Sequence, residues 1–244
     1  MIALLEPQWP APPTVRAAST LRSGGVSLGP YAGANFGDHV GDEPAAVAAN
    51  RASLRQQLAL VQEPAWLNQV HGTVVVEAVA SPTPTTADGS WSCKGGQACV
   101  VMTADCLPVL LCNRQGSWVA ALHAGWRGLC EGVIESGIAA YPGPTADLLA
   151  WLGPCIGPAA FEVGGEVRTA FMAADGRDAQ RCFAAHGDRY LADLPALARL
   201  RLASCGVTAV YGGQWCTVSD VASFYSYRRE RVTGRMASLV WLQP

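Results

Sequence analysis

The stretch ACVVMTADCLPVLLCNRQGSWVAALHAGWRG, residues 98–128, decides the fold. It holds three apolar runs rich in β-branched and small residues, at 99–103, 109–112 and 118–123, separated by the turns TADC and NRQGS. None alternates with polar residues, so all three read as strands buried on both faces. The most apolar window, residues 98–112, is broken by Asp105 and Pro108 and is too short to cross a bilayer as a helix. No membrane partner is expected.

Working outward, further strands are expected at 65–67, 74–79, 148–152, 208–211 and 237–242. Helices are expected at 44–60, with Asp42 or Glu43 near its start, and at 131–141, 165–174 and 193–205, the last closed by Gly206. The Pro/Thr-rich SPTPTTADG, residues 81–89, reads as an exposed loop joining two strands. Strands and helices mixed in no strict βαβ order predict a mixed α/β (α+β) sandwich, not a doubly wound sheet.

With 244 residues, 50% hydrophobic and 15% charged, the chain can bury a large core, and one domain over residues 1–244 is the expectation. Residues 1–10 carry no basic start, apolar run and small-residue cleavage site, which predicts a cytoplasmic protein. The net charge of −2, with no basic cluster beyond Arg228, Arg229 and Arg231, predicts no nucleic-acid partner. Nine cysteines form no CxxC pair and are odd in number, which disfavours a disulfide framework or a four-cysteine zinc knuckle. No dinucleotide fingerprint or phosphate-loop motif is present, and the sole lysine, Lys94, is followed by glycine.

Chemistry concentrates on few residues. Two of the four histidines, His71 in NQVHG and His123 in ALHAGWRG, stand where an inferred strand meets a glycine turn, and Cys106 in TADC lies between them. Two imidazoles and a thiolate suit zinc and leave a fourth position open for water or substrate. The same residues would equally suit a cysteine–histidine nucleophile pair. Asp105 is a candidate acceptor orienting an imidazole. Arg127 is placed to hold an anion near the metal, and Arg228 or Arg229 to bind phosphate or the ribose end of a substrate, because an arginine fork matches phosphate. His39 is a candidate proton donor. Cys155 in GPCIG reads as a tight turn, and Trp126, Trp215 and Tyr225 as candidates for stacking on a base.

Taken together, NQVHG, ADG at 87–89, TADCLPVLL, HAGWRG, LGPCIGPAAFEVGGEV and SYRRERVTGRMASLVWL resemble the YfiH-like family, also called the laccase-domain or polyphenol oxidoreductase family, from about Asn35 to the C-terminus. The first 30 residues match nothing usable. The resemblance implies a four-layer αββα sandwich, related in fold to the cysteine-hydrolase domain of cytotoxic necrotizing factors, and zinc ligands at His71, Cys106 and His123. It implies phosphorolysis of adenosine, inosine and methylthioadenosine, together with adenosine deamination, so the expected partners are purine nucleosides and phosphate on a monomer or weak oligomer. Two rivals remain. A copper polyphenol oxidase is disfavoured because four histidines are too few for a multicopper centre, although two His, one Cys and Met102 would make a blue-copper set. A cysteine hydrolase acting in cell-wall precursor editing would use Cys106 and His123 without metal.

Overall fold

Period-two alternation explains why residues 98–124 are apolar throughout. In the strand Ala98–Thr103, Cys99 and Val101 face one way and Ala98, Val100 and Met102 the other, and each side meets its own apolar cluster. In Leu107–Asn113 and Val119–Ala124, Leu110, Cys112, Val119 and Ala121 face inward, while Leu107, Val109, Leu111, Ala120 and Leu122 face helices. Both faces are dry, so alternation of polarity vanishes.

The computed structural model describes residues 1–244. Two sheets pack face to face. One has four antiparallel strands in the order Leu4–Leu5, Val15–Thr20, Met236–Leu242, Ala98–Thr103. The other has six, in the order Ala209–Gly212, Leu148–Leu152, Leu107–Asn113, Val119–Ala124, Gly89–Ser92, Val75–Glu77. Its two edge pairings are parallel and its three inner ones antiparallel. Val101, Val240, Leu110, Val119 and Trp151 fill the space between the sheets. The helix Pro44–Gln57 lays Leu54 on the outer face of the four-stranded sheet. Helices Trp126–Glu131, Val133–Ala139, Gly165–Asp175 and Leu194–Ser204 cover the other sheet with Leu129, Ile134, Phe171 and Leu197. The result is the expected αββα layering in a mixed α/β fold. Truncating one fully buried leucine of this core to alanine costs about 2–5 kcal/mol.

Differences from the sequence reading have local causes. The helix expected over 131–141 runs only over Val133–Ala139, and a separate helix, Trp126–Glu131, precedes it, because Gly132 adopts φ +108° and ends one as it starts the next. The helix expected to reach residue 60 stops at Gln57, and Ala59 turns left-handed at φ +51°. Asp42 does not cap it; its carboxylate takes Ser27 Oγ, Asn35 Nδ2 and Glu43 N, tying the preceding loop together. Gly206 does follow the helix Leu194–Ser204, at φ +85°, and Asp193 caps its start through Ala196 N at 2.9 Å. The 81–89 loop joins Val75–Glu77 to Gly89–Ser92 as expected, but its Thr85–Thr86 pairs in parallel with Leu67–Asn68. Unforeseen were Val15–Thr20, which pairs with the last strand, the hairpin Phe183–His186 and Arg189–Ala192, and the short helix Tyr227–Glu230.

Candidate metal centre and cavity

His123 is the penultimate residue of the strand Val119–Ala124 and is buried; Cys106 follows Ala98–Thr103 and immediately precedes Leu107–Asn113; His71 sits in the turn after Leu67–Asn68. The sheet ends bring them together. Their donor atoms all lie within 4.8 Å of one another, with Cys106 Sγ 3.7 Å from His71 Nε2 and the two rings edge-on at 4.7 Å. A methyl group on Gly125 would come within 2.8 Å of His71 Cδ2 and 3.1 Å of Cys106 Sγ, so the residue after the His123 strand must be glycine for the three to converge. One thiolate and two imidazole nitrogens at this spacing could hold a metal ion.

The residue that organises them is Asp88, from the ADG motif. Its side chain is fully buried. Oδ1 accepts from His123 Nδ1 at 2.8 Å and from His71 N at 2.8 Å; Oδ2 accepts from Gly72 N at 2.7 Å and Val70 N at 3.2 Å. One carboxylate therefore holds the proton on His123 Nδ1, turns its Nε2 to the site, and fixes the NQVHG turn in which His71 adopts φ +63°. Burial alone would raise the Asp88 carboxyl, but His123 and the backbone N–H groups outweigh it and hold the group below the usual range. Burial likewise opposes the charge on Cys106, yet His123 and His71 bring the thiol down to about 6, and Cys106 with Asp88 holds His123 protonated up to about 9 against its own burial. The cluster is built to keep a thiolate beside imidazoles.

Asp105 does not orient an imidazole. Its φ is +90°, its Oδ1 accepts from Thr217 Oγ1 and its Oδ2 from Arg228 N, both at 2.6 Å, so it ties the Cys106 turn to the C-terminal segment. Ile156 N adds a bond to its carbonyl at 2.9 Å.

The three donors open onto a cavity of about 450 Å³. A larger concavity of about 620 Å³ runs along the helix Pro44–Gln57, away from them. Of the expected binding residues, His39 and Arg228 line the cavity; Arg127 and Arg229 do not. Arg127 is exposed and stacks over Trp126 at 4.4 Å. Arg229 is consumed by the carbonyls of Thr217, Val218 and Phe224 and by Glu230, because the short helix turns it back into the fold. The stacking candidates are also elsewhere: Trp215 packs on Trp151, and the Tyr225 hydroxyl donates to Tyr31 O. Cys155 is buried in a turn, as read from GPCIG.

Besides Asp88, four contributors escaped the sequence reading. Phe161 and Tyr227 give the cavity aromatic wall, Arg235 gives it charge, and Gln69 pins the His71 loop by pairing its side-chain amide with Met102 N at 2.7 Å and Met102 O at 2.8 Å. Each lies in a quoted motif, and Asp88 stands inside ADG. What spacing could not supply was which side chain turned inward.

Residues 16–243 match the model of the multi-copper polyphenol oxidoreductase laccase family. The chain belongs to this family. It is 56% identical over its whole length, and the whole of the relative, to a Pseudomonas aeruginosa protein named purine nucleoside phosphorylase. It is 53% identical over 99% of its length to Escherichia coli YfiH, also named purine nucleoside phosphorylase, all of which is covered. Among solved structures, a Neisseria meningitidis protein superposes with TM-score 0.95 at 50% identity, covering 99% of both chains. YlmD of Geobacillus stearothermophilus superposes with TM-score 0.93 at 27% identity, covering 99% of this chain and 97% of its own. No helix of this family member is long and apolar enough to cross a membrane.

Proposed function

We propose that the chain is a single-domain, cytoplasmic, zinc-dependent purine nucleoside phosphorylase acting on adenosine, inosine and methylthioadenosine, with a secondary adenosine deaminase activity. One observation carries the reading: His71, Cys106 and His123 present their donors within 4.8 Å of one another on the wall of a cavity that also holds Arg228, His39 and two aromatic rings. Relatives covering the full chain and named purine nucleoside phosphorylase support the substrate class.

His71, Cys106 and His123 would hold the zinc, which when bound supplies a Lewis acid and a water of lowered pKa. The chain's own residues do the rest. Asp88 keeps the proton on His123 Nδ1, so Nε2 is the nitrogen that would give up its proton to bind the metal. Phe161, Ile156 and Tyr227 form the apolar wall on which a purine would lie. In phosphorolysis a phosphate oxygen bonds to ribose C1′ as the bond to the purine nitrogen breaks, and the leaving base takes a proton. His39 is the proposed donor: it lines the cavity, with Asp38 Oδ1 3.5 Å from its Nδ1.

Copper fits less well. The one methionine on the cavity, Met102, has its sulfur 3.7 Å from the Arg51 guanidinium, a cation that would compete with a bound copper ion for that lone pair. A cysteine hydrolase gains from Asp88, because Cys106, His123 and Asp88 then make a nucleophile, base and orienting acid. Product analysis with and without phosphate, alongside metal analysis, separates the readings. Adenine and ribose 1-phosphate formed from adenosine only with phosphate, and lost with zinc in Cys106→Ala, is the expected result. No product from any purine nucleoside by zinc-loaded protein would overturn it.

A further inference from the structure

Every arginine of a protein interior has to spend its charge on something. Arg22, Arg51, Arg201 and Arg229 each have a carboxylate within 4.0 Å, and Arg199, without one, gives both terminal nitrogens to the carbonyls of Val210 and Gly212. The two arginines that line the cavity have none. Arg228 gives Nη1 to the carbonyls of Glu162 at 3.1 Å and Ala160 at 3.5 Å. Arg235 gives Nη1 to the carbonyls of Thr233 at 3.0 Å and Gly234 at 3.1 Å. The remaining nitrogens of both forks make no hydrogen bond to the protein.

Arg235 is the more committed of the two. It stands directly before the strand Met236–Leu242, a rigid mount, and its backbone N donates to Asn35 Oδ1 at 2.8 Å. Its stem lies against Gly37 so closely that a Cβ there would meet Arg235 Cγ at 2.8 Å. The NFGDH segment thus makes room for this side chain. A half-buried guanidinium that stands 5.9 Å over the Tyr227 ring, feels Cys106 and Asp105 without an ion pair to either, is clamped at its stem and opens to a cavity is a preformed anion site, because its charge is only partly compensated by the protein.

Resting on the phosphorylase reading, we propose that Arg235, assisted by Arg228, binds the phosphate co-substrate, and that Arg235 determines the enzyme's affinity for phosphate. The arginine fork matches two phosphate oxygens, and the cavity places that dianion on the same open space as the metal-ligand cluster. Arg229, the neighbour that sequence alone makes an equal candidate, has no free donor left facing this space.

The test uses the intact protein and inorganic phosphate. Arg235→Met keeps the stem against Gly37 and removes the charge; Arg235→Lys keeps stem and charge and removes the fork. Losing a charged two-pronged contact should raise the KM for phosphate roughly ten- to hundred-fold in Arg235→Met, leaving the KM for nucleoside within about two-fold, with Arg235→Lys between. Phosphorus NMR line broadening of inorganic phosphate, read without nucleoside, should be present in the parent protein and in Arg177→Gln, an exposed control, and lost in Arg235→Met. Broadening that depends on Arg235 in a protein without nucleoside turnover would leave the anion site standing and sink the phosphorylase reading. Normal turnover with an unchanged phosphate KM in Arg235→Met and Arg235→Lys, each folded by melting temperature, would overturn the inference alone.

Discussion

Replacing Asp88 by asparagine should loosen both His71 and His123 at once. The carboxylate accepts four hydrogen bonds, two at each oxygen, from His123 Nδ1 and from the backbone N–H groups of Val70, His71 and Gly72. An asparagine of the same shape must turn an NH₂ toward one pair of these donors, so two acceptor contacts are lost whichever way the amide lies. Each was a bond to a charged acceptor, worth about 1.5–3 kcal/mol. Allowing for relaxation of the turn, Asp88→Asn should lose about 2–4 kcal/mol of stability and bind zinc roughly ten- to hundred-fold more weakly, as outer-shell partners of metal ligands do. The sign with pH follows from the depressed carboxyl. Its contribution is complete above the unfolded-state carboxylate pKa and is lost as pH falls through the lower native value, so the variant should lose stability mainly at neutral pH and converge on the parent in acid. Chelator competition for zinc and urea unfolding at pH 7 and pH 3 measure the two effects. A zinc affinity within three-fold of the parent, with an unchanged unfolding midpoint, would refute the role given to Asp88.

Purified protein should carry about one zinc per chain by elemental analysis, and His71→Ala, Cys106→Ala and His123→Ala should each lose it; zinc retained by all three would remove the metal centre. Gly125→Ala should cut activity at least ten-fold while leaving the fold intact by circular dichroism, since a methyl 2.8 Å from His71 must push the ligands apart; undiminished activity would show that the cluster is looser than drawn. Glu230 is held below the usual carboxyl range against its burial by Thr233, Arg22 and Arg229. Its stabilisation is present above its unfolded pKa and lost as pH falls through the native one, so Glu230→Gln should flatten the acid limb of melting temperature against pH; an acid limb as steep as the parent's would contradict this.

How much of this was legible in the sequence depended on whether the signal was local. Residues 98–124 announced buried strands because both faces of each needed apolar cover, and the bounds came within two residues. The strand Leu148–Leu152 was read to the residue. Val15–Thr20 was not found, since its long pairing is with Met236–Leu242 at the other end of the chain and its own residues, VRAAST, carry little periodicity. The clustering of His71, Cys106 and His123 was legible because histidine and cysteine are scarce donors beside glycines. The arginines were not, because the direction of Arg228, Arg229 and Arg235 is set by a four-residue helix, Tyr227–Glu230, and by the start of a strand, neither visible in a polar segment. Asp105 and Asp88 both follow alanine in short turns, and only the assembled fold shows that the first bonds Thr217 and Arg228 while the second bonds His123.

That contrast explains why the site sits where it does. His123 and Cys106 are held by adjacent antiparallel strands, in which Pro108 lies opposite His123, so their spacing is set by sheet geometry and needs no loop to be ordered. His71 is different: it is exposed, left-handed and tied to the sheet mainly through Asp88 and through Gln69 on Met102. The cationic wall arrives last in the chain, on residues 228–235, and is locked to the Cys106 turn by the Asp105 bond to Arg228 N. Donors and arginines thus come from opposite ends of the sequence and face one cavity only when the four-stranded sheet closes, its last strand inserting between Val15–Thr20 and Ala98–Thr103. Loss of that closing strand should therefore part the cationic wall from His71, Cys106 and His123, and any phosphate binding at that wall should be lost with it.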